Sequence, residues 1–327
     1  MNGVAGYPDL PALTRGLQAA LELPDGVAVV QRVPNRRPHT FPSEVVKCRL
    51  ADGRELSLFA KYQAGAGNPA HGHRGGVAYE ADVYRHVLRS SSSSTPRFHG
   101  SYSDVDAGET WLVIEYLDGG QRVVDTTAPK QPGGQPRVGA MPLAAAWLGH
   151  FHSEHEAERD PAACLLTIYD GDYYTGWARR TALLAADWRD SFPWLATLCM
   201  RGAEAMTVLQ GTPLTVVHGE FYPGNVLIRN GTVYPIDWES AAVAAGEIDL
   251  AALIEHWPVE IARRCIRAYR EARWPRGTPS DFDVRLRTAC LYLHLRWLGD
   301  QPEWVTHPRF FWRFEDLRDL GQQLDLV

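Results

Sequence analysis

Lysine is nearly missing from this sequence: Lys47, Lys61 and Lys130 stand against 30 arginines in 327 residues. Arginine serves as well as lysine for a charge in water, so a lysine here points to a place that wants a compact point charge. Long apolar runs are missing too. None reaches the roughly 18 residues that span a bilayer, and Met1 to Asp25 carries acidic residues with no basic stretch ahead of an apolar block. A cytoplasmic location and no membrane partner are therefore expected. Cysteine is scarce and scattered, at Cys48, Cys164, Cys199, Cys265 and Cys290, with no CxxC spacing. That odd set argues against a disulfide framework or a zinc site and for buried, reduced thiols. Positive charge is in deficit: the formal net charge is −6, which leaves no long basic surface for nucleic acid.

Hydrophobic residues make up 45% and charged residues 22% of the chain, the balance of a soluble globular protein. Its length exceeds one ordinary core and suits two packed lobes. Residues 10–22 read as a helix. Val27–Val33, Glu44–Leu50 and Glu55–Tyr62 read as strands, the last two joined at Asp52-Gly53. Residues 63–75 read as a loop in which His71 and His73 are solvated. A helix over Gly76–Leu88 ends at the Ser90–Ser94 run and Thr95-Pro96. Two more strands follow, at Arg97–Ser101 and Thr110–Tyr116. After Asp118-Gly119-Gly120 a Pro/Gly-rich stretch runs to about Pro142. From Leu143 the period is helical, at 143–155, 172–187, 194–207, 247–256, 258–273, 281–298 and 308–323, with one β island at Leu214–Trp238. The expected fold class is α+β: a small β-rich N-terminal lobe over 1–117 and a larger, mainly helical C-terminal lobe over 118–327.

The island carries the chemistry. It reads from Val216-Val217-His218-Gly219-Glu220 through Asn225 to Ile236-Asp237-Trp238. Asn230-Gly231 favours a two-residue type I′ turn, because both residues tolerate positive φ. Counting back from that turn, Asn225 lies opposite Ile236, one residue from Asp237. An amide oxygen and a carboxylate without histidine or cysteine suit Mg²⁺. Glu220, five residues before Asn225, is placed to serve a substrate beside the metal.

The string His-x-acid-x₄-Asn, followed by an apolar hairpin and Ile-Asp, is similar to the kinase catalytic loop and its metal-binding aspartate. In full, HGEFYPGNVLIRNGTVYPIDWE resembles the aminoglycoside phosphotransferase family, which is related to choline kinases. Gly246-Glu247-Ile248-Asp249-Leu250-Ala251-Ala252 resembles that family's following acidic helix start. The resemblance implies a protein-kinase-like bilobal fold and transfer of phosphate from ATP (or GTP), with Mg²⁺, to a hydroxyl of a small-molecule acceptor. It implies that Asn225 and Asp237 hold the metal, that Glu220 stands where the family has its catalytic aspartate, that His218 braces the loop, and that Asp249 anchors it. It further implies a nucleotide-binding Lys61, a partner Glu80 on the next helix, and a hinge at Glu115-Tyr116-Leu117 whose backbone pairs with the adenine edge. The segment between the first two strands has no glycine; Ser43, Arg36 and Arg37 are its candidates for phosphate contact. An antibiotic or other natural product is the expected acceptor, and a monomer or homodimer the expected assembly.

Glu220 in place of aspartate keeps a second class open, a nucleotide-binding pseudokinase with weak transfer or none. One extra methylene moves a carboxylate by about an ångström, and a misplacement of that order can cost about a hundredfold in rate. Protein kinase activity is disfavoured by the lack of Asp-Phe-Gly and Ala-Pro-Glu landmarks. His150, His152 and His155 share one helix, but only His152 and His155 share a face, too few ligands for a metal site. Tyr173, Tyr174 and Trp177 lie on helices expected to shape the acceptor pocket. Glu239, Glu247 and Glu255 are candidates for attracting a cationic acceptor.

Overall fold

The computed structural model describes residues 6–35, 40–64, 73–125, 135–136, 139–156, 161–211 and 213–327. Arg36, Arg37 and His71 lie outside them. The chain packs as two units. One holds Met1–Pro69, Arg74–Gln121 and Leu227–Ser240; the other holds Ala70–His73, Arg122–Val226 and Ala241–Val327.

The first unit opens with helix α1, Leu10–Ala20, whose start is capped by Asp9 accepting the Ala12 N–H at 2.8 Å. Strands β1 (Val27–Pro34), β2 (Ser43–Leu50), β3 (Glu55–Ala64), β4 (Phe98–Asp104) and β5 (Glu109–Glu115) form an antiparallel sheet in the order β1-β2-β3-β5-β4. Leu13 and Leu17 of α1 join Val46, Leu58, Ala60, Trp111 and Val113 in one apolar cluster. Glu44, almost wholly buried, ties three strands together: it accepts from both Arg32 Nε (2.8 Å) and Nη2 (2.6 Å) and from the Tyr62 hydroxyl (2.7 Å). A buried carboxylate needs such partners.

Helix α2 covers Gly76–Asp82. Its first turn is met by Gln63, whose Oε1 accepts the Val77 N–H at 2.7 Å. Gly76 has φ +79°, which favours glycine, and a Cβ there would press on the same Gln63 oxygen at 2.6 Å. The single helix expected over Gly76–Leu88 is instead α2, a π-helical turn at Val83–Val87 and a 3₁₀ turn at Leu88–Ser90. Apolar periodicity does not resolve such changes of pitch.

Beyond β5 come β6 (Gln121–Arg122), β7 (Val124–Asp125) and β8 (Gln135–Pro136). In the second unit follow α3 (Ala140–Glu154), β9 (Thr167–Ile168), α4 (Gly171–Leu184), α5 (Leu195–Ala205) and β10 (Thr215–Val217). The hairpin β11 (Val226–Arg229) and β12 (Thr232–Pro235) then forms a sheet in the order β12-β11-β6. Thereafter come β13 (Ala242–Ala244), α6 (Glu247–Ile254), α7 (Val259–Arg273), α8 (Phe282–Asp300), α9 (Pro302–Thr306) and α10 (Trp312–Gln323). A cut after Leu117 would assign the hairpin to the helical lobe, whereas the chain packs Leu227–Ser240 with the sheet. The reason is local bonding: Ser94 Oγ donates to the Val233 carbonyl at 2.7 Å, and the Trp238 N–H donates to Glu80 at 3.0 Å. Strands β9 and β13 were not expected; β13 lies between β10 and β9 in a three-stranded sheet.

All five cysteines are free thiols. Cys164 is exposed, contrary to the expectation of burial, while Cys48, Cys199 and Cys265 are buried. Among the described residues no helix is long and apolar enough to cross a membrane.

Helices α3 and α7 cross at Gly149. A Cβ added there would sit 2.6 Å from the Tyr269 carbonyl oxygen and 2.8 Å from the Ala272 Cβ. Backbone cannot swing aside as a flexible side chain can. Gly149→Ala is therefore expected to lower stability by about 1–3 kcal/mol. Urea unfolding measures this; an unchanged midpoint would contradict the close crossing.

Candidate active site

In the first unit, β3 and α2 set a lysine against a carboxylate across a buried space. Lys61 Nζ lies 2.7 Å from Glu80 Oε2, 2.5 Å from Asp237 Oδ1 and 3.6 Å from Glu239 Oε2. Lys61, Glu80 and Glu239 are buried, whereas the Asp237 side chain is 38% exposed. Burial pulls the Lys61 ammonium down, and Asp237, Glu80 and Glu239 more than reverse it, leaving its pKa well above the ordinary lysine value. Burial raises the Glu80 carboxyl, with Lys61 opposing. Three carboxylates thus surround Lys61, with Arg74 Nε also 3.6 Å from Glu239, and of the three only Asp237 reaches solvent. Asp237 also has φ +72°, an uncommon state for a residue with a Cβ.

The other expected residues of this unit are placed as follows. Ser43 pairs with Lys61 in the β2–β3 register, and its hydroxyl accepts from Asn35 Nδ2 at 3.0 Å. Glu115 ends β5 and accepts from Arg229 at 2.9 Å. The Tyr116 N–H is given to the Ser57 carbonyl at 3.1 Å, and the Leu117 carbonyl accepts from Gly120 at 2.9 Å. Tyr116 therefore has no amide left for a base edge. The expected I′ turn is formed: Asn230 and Gly231 have φ +53° and +79°.

Glu220 and Asn225 belong to the second unit. The loop that carries them is hung from Asp249 near the start of α6. Asp249 Oδ2 accepts the His218 N–H at 2.6 Å, and Oδ1 accepts the Gly219 N–H at 2.9 Å. Gly219 has φ +80°, which suits glycine where the chain turns both amides toward one carboxylate. His152 Nε2 lies 3.2 Å from the same carboxylate and Nδ1 2.9 Å from the Tyr269 hydroxyl. That is a structural role. Among the described residues no group of three or more His, Cys, Asp or Glu could hold a metal. Asn225 Nδ2 donates to the Glu220 carbonyl at 3.1 Å, so its amide oxygen is the atom it can offer to a cation.

Two neighbours of Glu220 were missed. His73, expected in solvent, is buried, with Nε2 3.2 Å from Glu220 Oε1 and Nδ1 3.1 Å from the Tyr173 hydroxyl. Arg296 of α8 is fully buried, 3.5 Å from Glu220 Oε1. A signal for it existed: Tyr292-Leu293-His294-Leu295-Arg296-Trp297-Leu298 sets an arginine inside an apolar helical run, and a buried arginine needs a partner. Glu247 and Glu255, read as attractors for a cationic acceptor, are instead matched by Arg285 (2.8 Å) and Arg313 (2.5 Å), and Glu239 lies 3.6 Å from both Lys61 and Arg74.

The profile of the phosphotransferase enzyme family matches residues 64–280. No curated protein sequence matches the chain significantly. Among solved structures, the macrolide 2′-phosphotransferase of Brachybacterium faecium is similar over 97% of both chains, at 17% identity and a TM-score of 0.57. The GDP complex of aminoglycoside 2′-phosphotransferase-IIIa is similar over 97% of this chain and 99% of that one, at 14% identity and a TM-score of 0.59. Choline kinase from Streptococcus pneumoniae matches over 89% of this chain and 94% of its own, at 12% identity and a TM-score of 0.57. At these identities the likeness establishes the fold, which is protein-kinase-like.

Burial pushes the Asp249 carboxyl from the ordinary 3.8 up to about 6, with His218 and the loop amides opposing. A carboxyl raised in the native state binds its proton more tightly there than when unfolded. Its ionisation therefore costs stability, on the order of 3 kcal/mol, lost as pH rises from about 4 to about 6. Asp249→Asn keeps an acceptor and removes the titration. The stability gap between variant and parent is expected to move in the variant's favour over that pH window, read by urea unfolding at each pH. A gap independent of pH would contradict the buried, ionising Asp249.

Proposed function

We propose, from the premise that this chain belongs to the phosphotransferase enzyme family and is a small-molecule kinase, that it transfers the terminal phosphoryl group of ATP or GTP to a hydroxyl of a natural product, antibiotics included. The observation that carries this reading is the lysine of β3 bonded at once to Glu80 and Asp237. A solvated strand-end lysine would need neither partner. In this reading Lys61 and Ser43 take the nucleotide phosphates, and the backbone groups of Glu115 and Leu117 take the base. Asp237 and the amide oxygen of Asn225 fit Mg²⁺ by donor type, since both are hard oxygens and Mg²⁺ keeps waters and phosphate oxygens for its remaining positions. When bound, the ion would neutralise charge developing on the phosphates. Glu220 orients the acceptor hydroxyl and accepts its proton. The acceptor class is supported by the fold shared with macrolide and aminoglycoside phosphotransferases. The paired states of Glu247 and Glu255 give no support to a cationic acceptor.

The test is phosphate transfer by purified variants against a panel holding a macrolide, an aminoglycoside and choline. Asp237→Ala is expected to abolish transfer and Asn225→Ala to cut it severely, with folding retained. Lys61→Ala and Lys61→Arg are both expected to weaken productive nucleotide binding, because the planar guanidinium does not replace a point charge. Glu220→Gln should lose most transfer, on the order of a hundredfold or more, while nucleotide still binds. Parent-like transfer by a folded Asp237→Ala protein would sink the metal assignment. Tight nucleotide binding with no transfer to any acceptor would make the chain a binding module instead.

A further inference from the structure

Glu220 departs from the family's aspartate, and its surroundings in the second unit account for the longer side chain. The residue is only 5% exposed. A carboxylate so buried needs a charged or hydrogen-bonding partner. Arg296 supplies the charge: Nη1 lies 3.5 Å from Glu220 Oε1, and no part of Arg296 reaches solvent. The guanidinium is itself held. Nη2 donates to the Tyr222 hydroxyl, and Cζ lies 5.0 Å above the Trp297 ring and 5.9 Å above that of Tyr222.

His73 completes the arrangement. Its Nε2 is 2.8 Å from Arg296 Nη1. Arginine can only donate, so Nε2 accepts and Nδ1 carries the proton. Nε2 then offers no hydrogen to Glu220 Oε1, 3.2 Å away, and Arg296 Nη1, which has two hydrogens, faces both acceptors. The Nδ1 proton is offered to Tyr173 at 3.1 Å or Tyr169 at 3.3 Å, and Tyr173 lies 2.8 Å from the Tyr292 hydroxyl. His73 thus fixes the guanidinium, and the guanidinium faces Glu220 Oε1. An aspartate on the same backbone would draw its carboxylate back by about an ångström, opening a contact that already stands at 3.5 Å.

We propose that Arg296, seated by His73, is a positioning residue for Glu220, and that this seat makes glutamate the working base of the chain where relatives use aspartate. The inference rests on the reading of Glu220 as the group that accepts the hydroxyl proton. It assigns no contact with substrate to Arg296 or His73.

The experiment measures kcat and KM for transfer to the same acceptor panel, and to water as nucleotide hydrolysis, with nucleotide affinity read separately by calorimetry. Arg296→Met is expected to lower kcat about tenfold or more, with nucleotide affinity within about twofold of the parent. Arg296→Lys, which keeps a donor and a charge, should fall less. His73→Leu should lower kcat in the same way, and His73→Gln, which keeps an acceptor for Arg296, should fall less than His73→Leu. A general loss of packing would not give that ranking or spare the nucleotide. Glu220→Asp should lose rate although it restores the family's residue, and Glu220→Asp with Arg296→Met should lose little more than either alone. Parent-like kcat in a folded Arg296→Met protein, or Glu220→Asp at or above the parent, would overturn the seat. If Arg296→Met does not fold, the Glu220→Asp rate and the ranking of the two His73 variants decide it. Full activity in Glu220→Gln would instead remove Glu220 as base, and an inert parent would remove the transfer reading itself; either outcome overturns the seat for a separate, recognisable reason.

Discussion

Three carboxylates around one ammonium govern the sheet-bearing unit. Lys61 comes from β3, Glu80 from α2, and Asp237 and Glu239 from the segment after the hairpin, so four side chains from three parts of the chain meet at one nitrogen. Such a cluster is costly to bury and costlier to break, because losing the lysine would take from the buried Glu80 and Glu239 the cation they share. The hydrogen bond from the Trp238 N–H to Glu80 adds a backbone tie to the same point. The hairpin's place beside the sheet follows from these bonds, as does the left-handed conformation of Asp237, which a free chain would avoid. All three carboxylates hold Lys61 charged, Asp237 most strongly, and of the three only Asp237 reaches solvent.

The loop in the helical unit solves the opposite problem. Two successive amides at His218 and Gly219 need an acceptor away from water, and Asp249 gives each one oxygen. Burying that carboxyl raises its pKa, yet an apolar residue in its place would leave both amides unsatisfied, a loss of about 1–3 kcal/mol each. The loop is thus shaped at its start by backbone bonds to Asp249 and further along by the Asn225 side chain, whose Nδ2 donates to the Glu220 carbonyl.

How much of this was legible follows from the range of each interaction. The Asn230-Gly231 turn, the sheet strands and the Asp9 cap depend on residues a few positions apart, and local pattern found the turn and the strands. The Lys61–Asp237 pair spans 176 positions; no periodicity links its members, and only resemblance to a family motif suggested they would serve one purpose. His73 stands 147 positions from Glu220 and lies in a Gly/Ala/His segment that looks solvent-borne. Its burial is a tertiary fact with no local sign. Arg296 left a trace, a charge inside an apolar helical run, but a trace that names a need for a partner without naming the partner. The π-helical turn after α2 left none, since apolar spacing is nearly the same through one wide turn.

Reading Glu220 as a mere conservative change and reading it as a lesion both treat the residue alone. Basicity hardly separates the two acids, whose unperturbed values are about 4.3 and 3.9; position does. A position is set by whatever the carboxylate leans on, and here that is a buried guanidinium fixed by a histidine and a tyrosine. Shortening the acid without moving the arginine would empty the contact, and bringing the arginine closer without shortening the acid would crowd it. The two residues are therefore constrained as a pair, and the identity of the acid in the loop is a property of α8 as much as of the loop itself.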